Sequence, residues 1–130
     1  MFSIFSQKPD TLGAANGRLA PCPPTPNCVC TQCDDAEHGM EPLHFQGDPA
    51  AALERLRTIV TGLPRTRIVT DRDGYLHVEF TSLIFRFVDD VEFLVEPATR
   101  TIHFRSASRV GRSDLGVNRR RMEEIRRQFE

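Results

Sequence analysis

Lysine is absent from this sequence after Lys8, so arginine supplies every later side chain that is always positively charged. Arginine suits planar, bidentate pairing with a carboxylate or a phosphate, because its guanidinium presents its N–H donors in one plane. The chain also lacks a Gly-rich phosphate loop, a nucleophile elbow and a His-Glu-x-x-His motif. It therefore offers no motif for a P-loop nucleotide site, an α/β-hydrolase serine or a helix-borne zinc site.

Long hydrophobic runs are missing as well. The apolar start from Met1 to Phe5 is interrupted by Ser3 and has neither a basic n-region nor a sustained h-region, so we expect no signal peptide. No later run approaches the roughly 20 apolar residues that a membrane-spanning helix needs. The cytoplasm is the default compartment on this basis.

Charge is present but unevenly distributed. The stretch from Asp71 to Glu96 carries seven acidic residues and two arginines, whereas Arg100 to Glu130 carries nine arginines and four acidic residues. Opposite charges of this kind attract each other within one fold, so we expect no nucleic-acid partner.

Residues 1–47 are rich in Pro, Cys, Gly, Asn and Asp and show little apolar periodicity. We interpret them as an irregular N-terminal arm that packs on a helix-sheet-helix domain over residues 48–130. At 130 residues the chain fits a single domain with one core.

Two segments have the pattern of an amphipathic helix. Asp48 and Pro49 suit an N-cap followed by Pro at the first helical position, and apolar residues then repeat at helical spacing as far as Leu63. A second helix is predicted from Leu115 to Phe129. The candidates for its N-terminal cap are Ser113, Asp114 and Asn118.

Between these helices, apolar and polar residues alternate with period two, which predicts antiparallel strands. Arg72-Asp73-Gly74 suits a three-residue hairpin loop with Gly74 in the left-handed conformation. The apolar stretch from Leu83 to Phe87 fits either a strand or a connector. The predicted fold is α+β: a two-layer sandwich in which an antiparallel sheet of three or four strands carries two helices on one face.

The last hairpin has a register that can be read from its charges. If Glu96 pairs with Thr101, Phe93 faces Phe104 on the core side. Glu92 then faces Arg105 on the other side, where we expect an exposed ion pair.

Several short segments, in this order, resemble one family. They are Pro21-Cys22-Pro23, Pro26-Asn27-Cys28-Val29, Tyr75-Leu76-His77, Phe87 to Phe93, Arg105 to Gly111 and Ser113 to Arg119. From about Leu19 to the C terminus the chain is similar to the domain-of-unknown-function 1499 family of bacteria and plastids. The resemblance implies small proteins that are often exported or membrane-tethered, and hence envelope association as an alternative compartment. It implies no activity, substrate or catalytic residue.

The cysteines form the first candidate site. Four thiolates at Cys22, Cys28, Cys30 and Cys33 suffice for a zinc ion or an iron–sulfur cluster, although the spacing is not a standard one. The family resemblance offers an alternative, in which Cys22 and Cys28 close a disulfide loop in exported relatives and stay reduced here. We expect no cofactor, and a structural or redox-sensitive group of thiols.

The helix-free face of the predicted sheet is the second candidate site. Two histidines and two carboxylates on one face suffice to bind a metal or to perform acid–base chemistry. The alternative is an ordinary solvated face, because antiparallel sheets commonly leave one side in water. The residues are His77, Glu79, Glu92, His103 and Arg105.

The third candidate site joins an acidic pair to the loop that leads into the last helix. Polar donors near a helix N terminus favour an anionic ligand. The alternative is structural: the carboxylates pair with arginine and the small polar residues cap the helix. We expect Arg109 to be at least partly buried and bonded to Asp89 or Asp90. The full set is Asp89, Asp90, Arg105, Ser106, Ser108, Arg109, Asp114, Asn118 and Arg119.

Three functions are compatible with these sites. The first is a non-enzymatic binding or accessory domain that recognises a small anionic ligand or a protein partner through the third site. The second is a small enzyme that uses Asp90, Arg109 and a neighbouring serine. The third is a metal or redox protein built on the cysteines.

Overall fold

The computed structural model describes residues 7–111 and 114–130. Its two helices are α1 (Pro49–Thr61) and α2 (Val117–Phe129). The N-terminal strands are β1 (Ala14–Ala15), β2 (Arg18–Leu19), β3 (Cys28–Cys30) and β4 (Leu43–His44). The longer strands are β5 (Thr66–Arg72), β6 (Tyr75–Thr81), β7 (Val88–Glu96) and β8 (Thr101–Ser108).

The main sheet is antiparallel and has six strands, not the three or four that were predicted. Its order is β3-β8-β7-β6-β5, and β4 also pairs with β8. Strands β3 and β4 therefore lie one after the other along the edge of β8 that β7 leaves free. They come from the segment before residue 48 and are too short for period-two alternation to reveal them. The fold class, α+β, is confirmed.

The β5–β6 hairpin is tighter than predicted. Arg72 pairs directly with Tyr75, so the loop has two residues rather than three. Asp73 and Gly74 both have positive φ, 53° and 77°. Two successive positive φ angles are the signature of a type I′ turn, whose twist matches that of the flanking strands. The predicted left-handed Gly74 is confirmed.

The β7–β8 hairpin has the predicted register. Glu96 pairs with Thr101, and Phe93 pairs with Phe104. Both phenylalanines are fully buried, with 0% exposure. The core therefore lies on the face of the sheet that carries them.

Both helices contribute to this same core. Each helix buries one apolar stripe against the sheet, because burial removes that stripe from water. Helix α1 contributes Leu53, Leu56 and Val60, and α2 contributes Met122, Ile125 and Phe129.

The helix caps follow the sequence pattern. The side chain of Asp48 accepts a hydrogen bond from the Ala51 N–H at 3.1 Å, and Pro49 opens α1. At α2, the Asp114 carboxylate accepts from the N–H groups of Gly116 and Asn118, each at 2.9 Å. The helix begins at Val117 rather than Leu115. Asn118, the second candidate for this cap, lies inside the helix, so that prediction is wrong, and Ser113, the third, lies outside the described residues.

Candidate functional site

The helix-free face of the sheet is buried, which corrects the expectation of an exposed ion pair there. Glu92 and Arg105 do lie opposite each other, but they are 0% and 5% exposed. The N-terminal segment covers them. The Gly13 N–H donates to Glu92 Oε2 at 2.8 Å, and Arg105 Nη2 donates to the Pro21 carbonyl at 3.4 Å.

One cluster on this face centres on Asp90. His77 Nε2 lies 2.7 Å from Asp90 Oδ1, and Arg109 bonds both Asp90 oxygens, Nε at 2.7 Å and Nη2 at 2.9 Å. Arg109 Nη2 also lies 2.7 Å from Glu79 Oε2. Burial would raise the pKa of Asp90, but the hydrogen bonds from Arg109 and His77 outweigh it and hold that pKa below 3.8. Asp90 is therefore an ionised, fully engaged carboxylate.

This geometry confirms the predicted pairing of Arg109 with Asp90. The Arg109 side chain is 4% exposed. Its position follows from the register, because Asp90 pairs with Ala107 and the chain then turns back towards β7. The Arg109 N–H donates to the Val88 carbonyl at 3.1 Å, which fixes the start of the last loop.

The second cluster, Glu92 with Arg105, is much looser. Arg105 Nη1 lies 3.6 Å from Glu92 Oε1, beyond hydrogen-bond distance. Arg105 Nε and Glu92 Oε1 are both buried and have no hydrogen-bond partner among the described residues. The other Glu92 oxygen is well satisfied, since Tyr75 donates its hydroxyl to it at 2.5 Å. Burial and this hydrogen bond raise the pKa of Tyr75.

Two cavities lie between the N-terminal segment and this face. The smaller, of about 170 Å³, is lined by both arginines, Arg105 and Arg109, together with Asp90 and Asn27. The larger, of about 580 Å³, is more open and is lined by Tyr75, among others. Pro9 lines both cavities. The N-terminal segment thus forms a wall of each.

His103 does not join the other members of the second candidate site. Its Nε2 lies 2.8 Å from Glu96 Oε1, and its Nδ1 lies 3.0 Å from the Thr31 hydroxyl. The hydrogen bond from His103 lowers the pKa of Glu96. Within residues 7–111 and 114–130, this face holds no group of three ligand atoms close enough to share a metal ion.

The rest of the third candidate site lies on the opposite face of the sheet, against α2. Asn118 is fully buried and donates Nδ2 to Asp114 at 2.6 Å and to the Ser108 hydroxyl at 3.0 Å. Ser106 donates its hydroxyl to Asn118 Oδ1 at 2.5 Å. Hydrogen bonds from the Asn118 amides oppose the effect of burial and lower the pKa of Asp114. The predicted site is therefore divided between two faces.

Asp89 and Arg119 also have structural partners. Arg121 Nη2 lies 2.7 Å from Asp89 Oδ2. The sequence gives no signal of this pairing, because the charge of Arg121 does not identify its partner. Arg119 donates to the carbonyls of Gly39 and Glu37, at 3.3 and 3.0 Å, and so ties α2 to the N-terminal segment.

The cysteines form one disulfide rather than a set of four thiolates. Cys22 and Cys28 are bonded, which corrects the expectation that this pair stays reduced. Cys30 and Cys33 are free. Burial, followed by a hydrogen bond with Cys33, raises the pKa of Cys30 to about 12. A buried thiol with so high a pKa is a poor nucleophile at neutral pH.

A further polar group, around His38, was not foreseen from the sequence. His38 Nδ1 lies 2.5 Å from Asp35 Oδ2, and its Nε2 lies 2.9 Å from the Thr25 carbonyl. Among the described residues, His38, Asp35 and Glu37 are the group whose ligand atoms lie close enough to share a metal ion. Both ring nitrogens already face acceptors, however, so the imidazole is arranged to donate protons rather than to bind a cation.

These features define a class of protein: a small α+β domain with helices on one face of its sheet and enclosed charges on the other. The chain belongs to the family described as protein of unknown function (DUF1499), whose model matches residues 18–129. No curated protein and no solved structure matches the chain. Among the helices of the described residues, none combines the length and the apolar character needed to cross a bilayer.

Proposed function

We propose that this protein is a non-enzymatic binding domain that holds a small anion at Arg105, in the cavity between the N-terminal segment and the sheet. The observation that carries the proposal is the buried guanidinium of Arg105. Its Nε has no hydrogen-bond partner among the described residues, and its neighbour Glu92 stands 3.6 Å away.

The energetic reason is the cost of leaving such a group unsatisfied. A buried polar atom without a hydrogen bond costs about 1–3 kcal/mol, and more when the group is charged. A carboxylate or phosphate oxygen that accepts from Arg105 removes this cost. Arginine also binds such oxygens in a plane, through two parallel N–H donors.

The cavity limits the size of the ligand. Its volume of about 170 Å³ lies below the roughly 300–1,000 Å³ of sites for drug-sized molecules. A small carboxylate or inorganic phosphate matches this volume better than a nucleotide or a peptide does. Asn27 and Arg109 line the same cavity, but their N–H groups already bond acceptors within the protein, so Arg105 is the residue on which the proposed site depends.

The geometry gives less support to an enzyme that uses Asp90, Arg109 and a serine. Both Asp90 oxygens are engaged, and its lowered pKa makes it a weak general base. The hydroxyls of Ser106 and Ser108 bond with Asn118 on the other face of the sheet. Both serine hydroxyls are thus committed to Asn118, although Ser108 lines the same cavity as Asp90.

The Cys22–Cys28 disulfide supports a working environment outside the reducing cytoplasm. Disulfides persist mainly in oxidising compartments, such as the bacterial envelope. Envelope association is therefore our proposal for the compartment, in place of the cytoplasmic default.

Thermal unfolding in the presence of acetate, succinate or inorganic phosphate tests the proposed function. A ligand that binds only the folded state raises the melting temperature in proportion to the logarithm of its concentration. We expect at least one of these anions to stabilise the wild type, and Arg105→Lys to abolish that effect, because a lysine lacks the planar donor pair.

The matched control is Arg67→Lys, since the Arg67 side chain is 69% exposed and lies away from the cavity. A second variant, Glu92→Gln with Arg105→Gln, removes both unmatched charges and so remains a usable test if Arg105→Lys is unstable. Equal stabilisation of the wild type and both Arg105 variants would exclude Arg105 as the anion ligand, as would a wild type that none of the three anions stabilises.

A further inference from the structure

The connection between β6 and β7, residues 82–87, exposes several large apolar side chains in succession. Leu83, Ile84 and Phe85 are 65%, 78% and 72% exposed. The connection is nevertheless closed at its base. The Ser82 N–H donates to the Phe87 carbonyl at 2.8 Å, and the Phe87 N–H donates to the Ser82 hydroxyl at 2.9 Å. The apolar side chains therefore project from a defined loop, which we call the apolar loop.

A second exposed apolar segment lies at the same end of the sheet. Strand β7 begins at Val88, where the Arg109 N–H bonds the Val88 carbonyl, and the chain continues from there towards α2. In that continuation Leu115 is 83% exposed and Val117 is 40% exposed. Monomeric proteins rarely expose several large apolar side chains in succession, as the apolar loop does, without an interaction to serve.

Exposed arginines lie within the apolar loop, at its base and beside Leu115. Arg86 lies within the loop, Arg65 donates to the Thr81 carbonyl at its base, and Arg120 donates to the Leu115 carbonyl. None of these three arginines forms an ion pair with another described residue. The acidic residue nearby, Asp114, spends both carboxylate oxygens on capping α2.

We propose that this end of the molecule docks on the surface of an anionic lipid bilayer. Exposed apolar side chains ringed by cations are what an interfacial anchor needs, because the apolar groups enter the headgroup boundary while the cations meet lipid phosphates. A concave or flat apolar patch would favour a protein partner. These side chains instead project from a loop, which suits insertion into a bilayer surface. Docking here is independent of the anion cavity, which lies on the helix-free face.

The sequence contains no tryptophan, so a single tryptophan reports on the apolar loop without background. In the full chain carrying Phe85→Trp, we expect the emission to shift to shorter wavelength when vesicles of phosphatidylglycerol and phosphatidylcholine are added. Vesicles of phosphatidylcholine alone should give no such shift, because they offer no net negative charge. The wild type should sediment with the anionic vesicles only.

The matched control is Ala98→Trp, an exposed position in the β7–β8 turn at the opposite end of the sheet. Its emission should not respond to either vesicle. Replacing Ile84→Ser and Phe85→Ser together should reduce sedimentation with anionic vesicles by at least about tenfold, since each apolar side chain contributes that order of partitioning. Both side chains are exposed, so the fold should survive, and an unchanged melting temperature checks this.

Three results would overturn the proposal. One is a wild type that does not sediment with anionic vesicles. Another is binding that the double serine variant retains in full. The third is loop-dependent self-association without lipid, seen as a mass in sedimentation velocity that falls in the serine variant, since it would assign the loop to a second copy of the chain.

Discussion

Arg109 connects the last loop to two strands through three short ionic contacts. It bonds both oxygens of Asp90 and one oxygen of Glu79, with its side chain 4% exposed. Replacing Arg109 by alanine leaves Asp90 charged and enclosed, which typically costs about 3–5 kcal/mol. We expect Arg109→Ala to lower the free energy of unfolding by this amount, measured by urea denaturation.

The control for this substitution is Arg67→Ala. Arg67 also bonds Glu79, at 3.1 Å, but its side chain is 69% exposed. An exposed pair contributes only about 0–1 kcal/mol. If the two variants lost equal stability, the enclosed charges would not be what makes Arg109 important.

His38 should make the stability depend on pH. The hydrogen bond to the Thr25 carbonyl, followed by the contact with Asp35, raises the pKa of His38 above 6.5, and Glu37 adds to the shift. A histidine whose pKa is higher in the folded state than in the unfolded state stabilises the fold when it is protonated. This stabilisation is complete at pH values below the unfolded-state pKa and is lost as the pH rises through the folded-state pKa. Asp35 stays ionised in this range, because the hydrogen bond from His38 lowers its pKa below 3.8.

We therefore expect His38→Gln to cost more stability at about pH 6 than at about pH 9. Urea denaturation of both proteins at the two pH values measures this difference. A cost that is the same at both values would show that His38 acts through its neutral hydrogen bonds alone.

The sequence predicted the contacts of some of these residues better than those of others. The pairing of Arg109 with Asp90 follows from strand register, which is local and periodic. The burial of Arg105 does not, because the residues that cover it belong to an irregular segment whose position no repeat reveals. The contacts of Asn27 and His38 could not be predicted either, because their partners lie far away in sequence or in turns.

Among the elements, β3 is the one whose anchorage is covalent. The loop that leads into it is closed by the Cys22–Cys28 disulfide, across a sequence separation of six. For so short a loop, the chain-entropy model gives a stabilisation of about 2 kcal/mol. We expect Cys22→Ser with Cys28→Ser to lower the free energy of unfolding by this amount.

The variant Cys33→Ser serves as the control, because Cys33 is free and only partly buried. Dithiothreitol should lower the urea midpoint of the wild type and of Cys33→Ser, and should leave the double serine variant unchanged. A wild-type midpoint that does not respond to reduction would contradict this role of the disulfide.

The elements with long periodic patterns were predicted, and the short ones were not. Both helices and the register of β7 with β8 were read from apolar spacing and from caps. Strands β3 and β4 have three and two residues, so alternation has too little length to show itself. Their pairing with β8 depends on contacts that only the complete fold provides.

In the molecule as a whole, residues 7–47 are part of the structure that holds the rest together. They add two strands to the sheet, supply Val29, Leu43 and Phe45 to the core, and cover Glu92. Without them, residues 48–130 would expose both apolar surface and an edge of β8. We expect that fragment to lack a cooperative thermal transition in circular dichroism.

Residues 18–130, which retain all six strands, provide the comparison. They lose the Gly13 contact to Glu92, the pairing of β1 with β2 and the first part of the cover, so they should unfold cooperatively at a lower temperature than the full chain. Cooperative unfolding of residues 48–130 alone would show that the N-terminal segment is an accessory to an independent domain.

The position of β8 has a consequence for the order of folding. Val29 pairs with Ser106, and Leu43 pairs with Ile102, so these early strands need a strand that is synthesised near the end of the chain. At roughly 5–20 residues per second, translation leaves β3 without its neighbour for several seconds, and contacts this distant in sequence also slow the folding step itself. The two cysteines of the loop are only six residues apart in sequence, so in an oxidising compartment the disulfide can form before β3 pairs with β8.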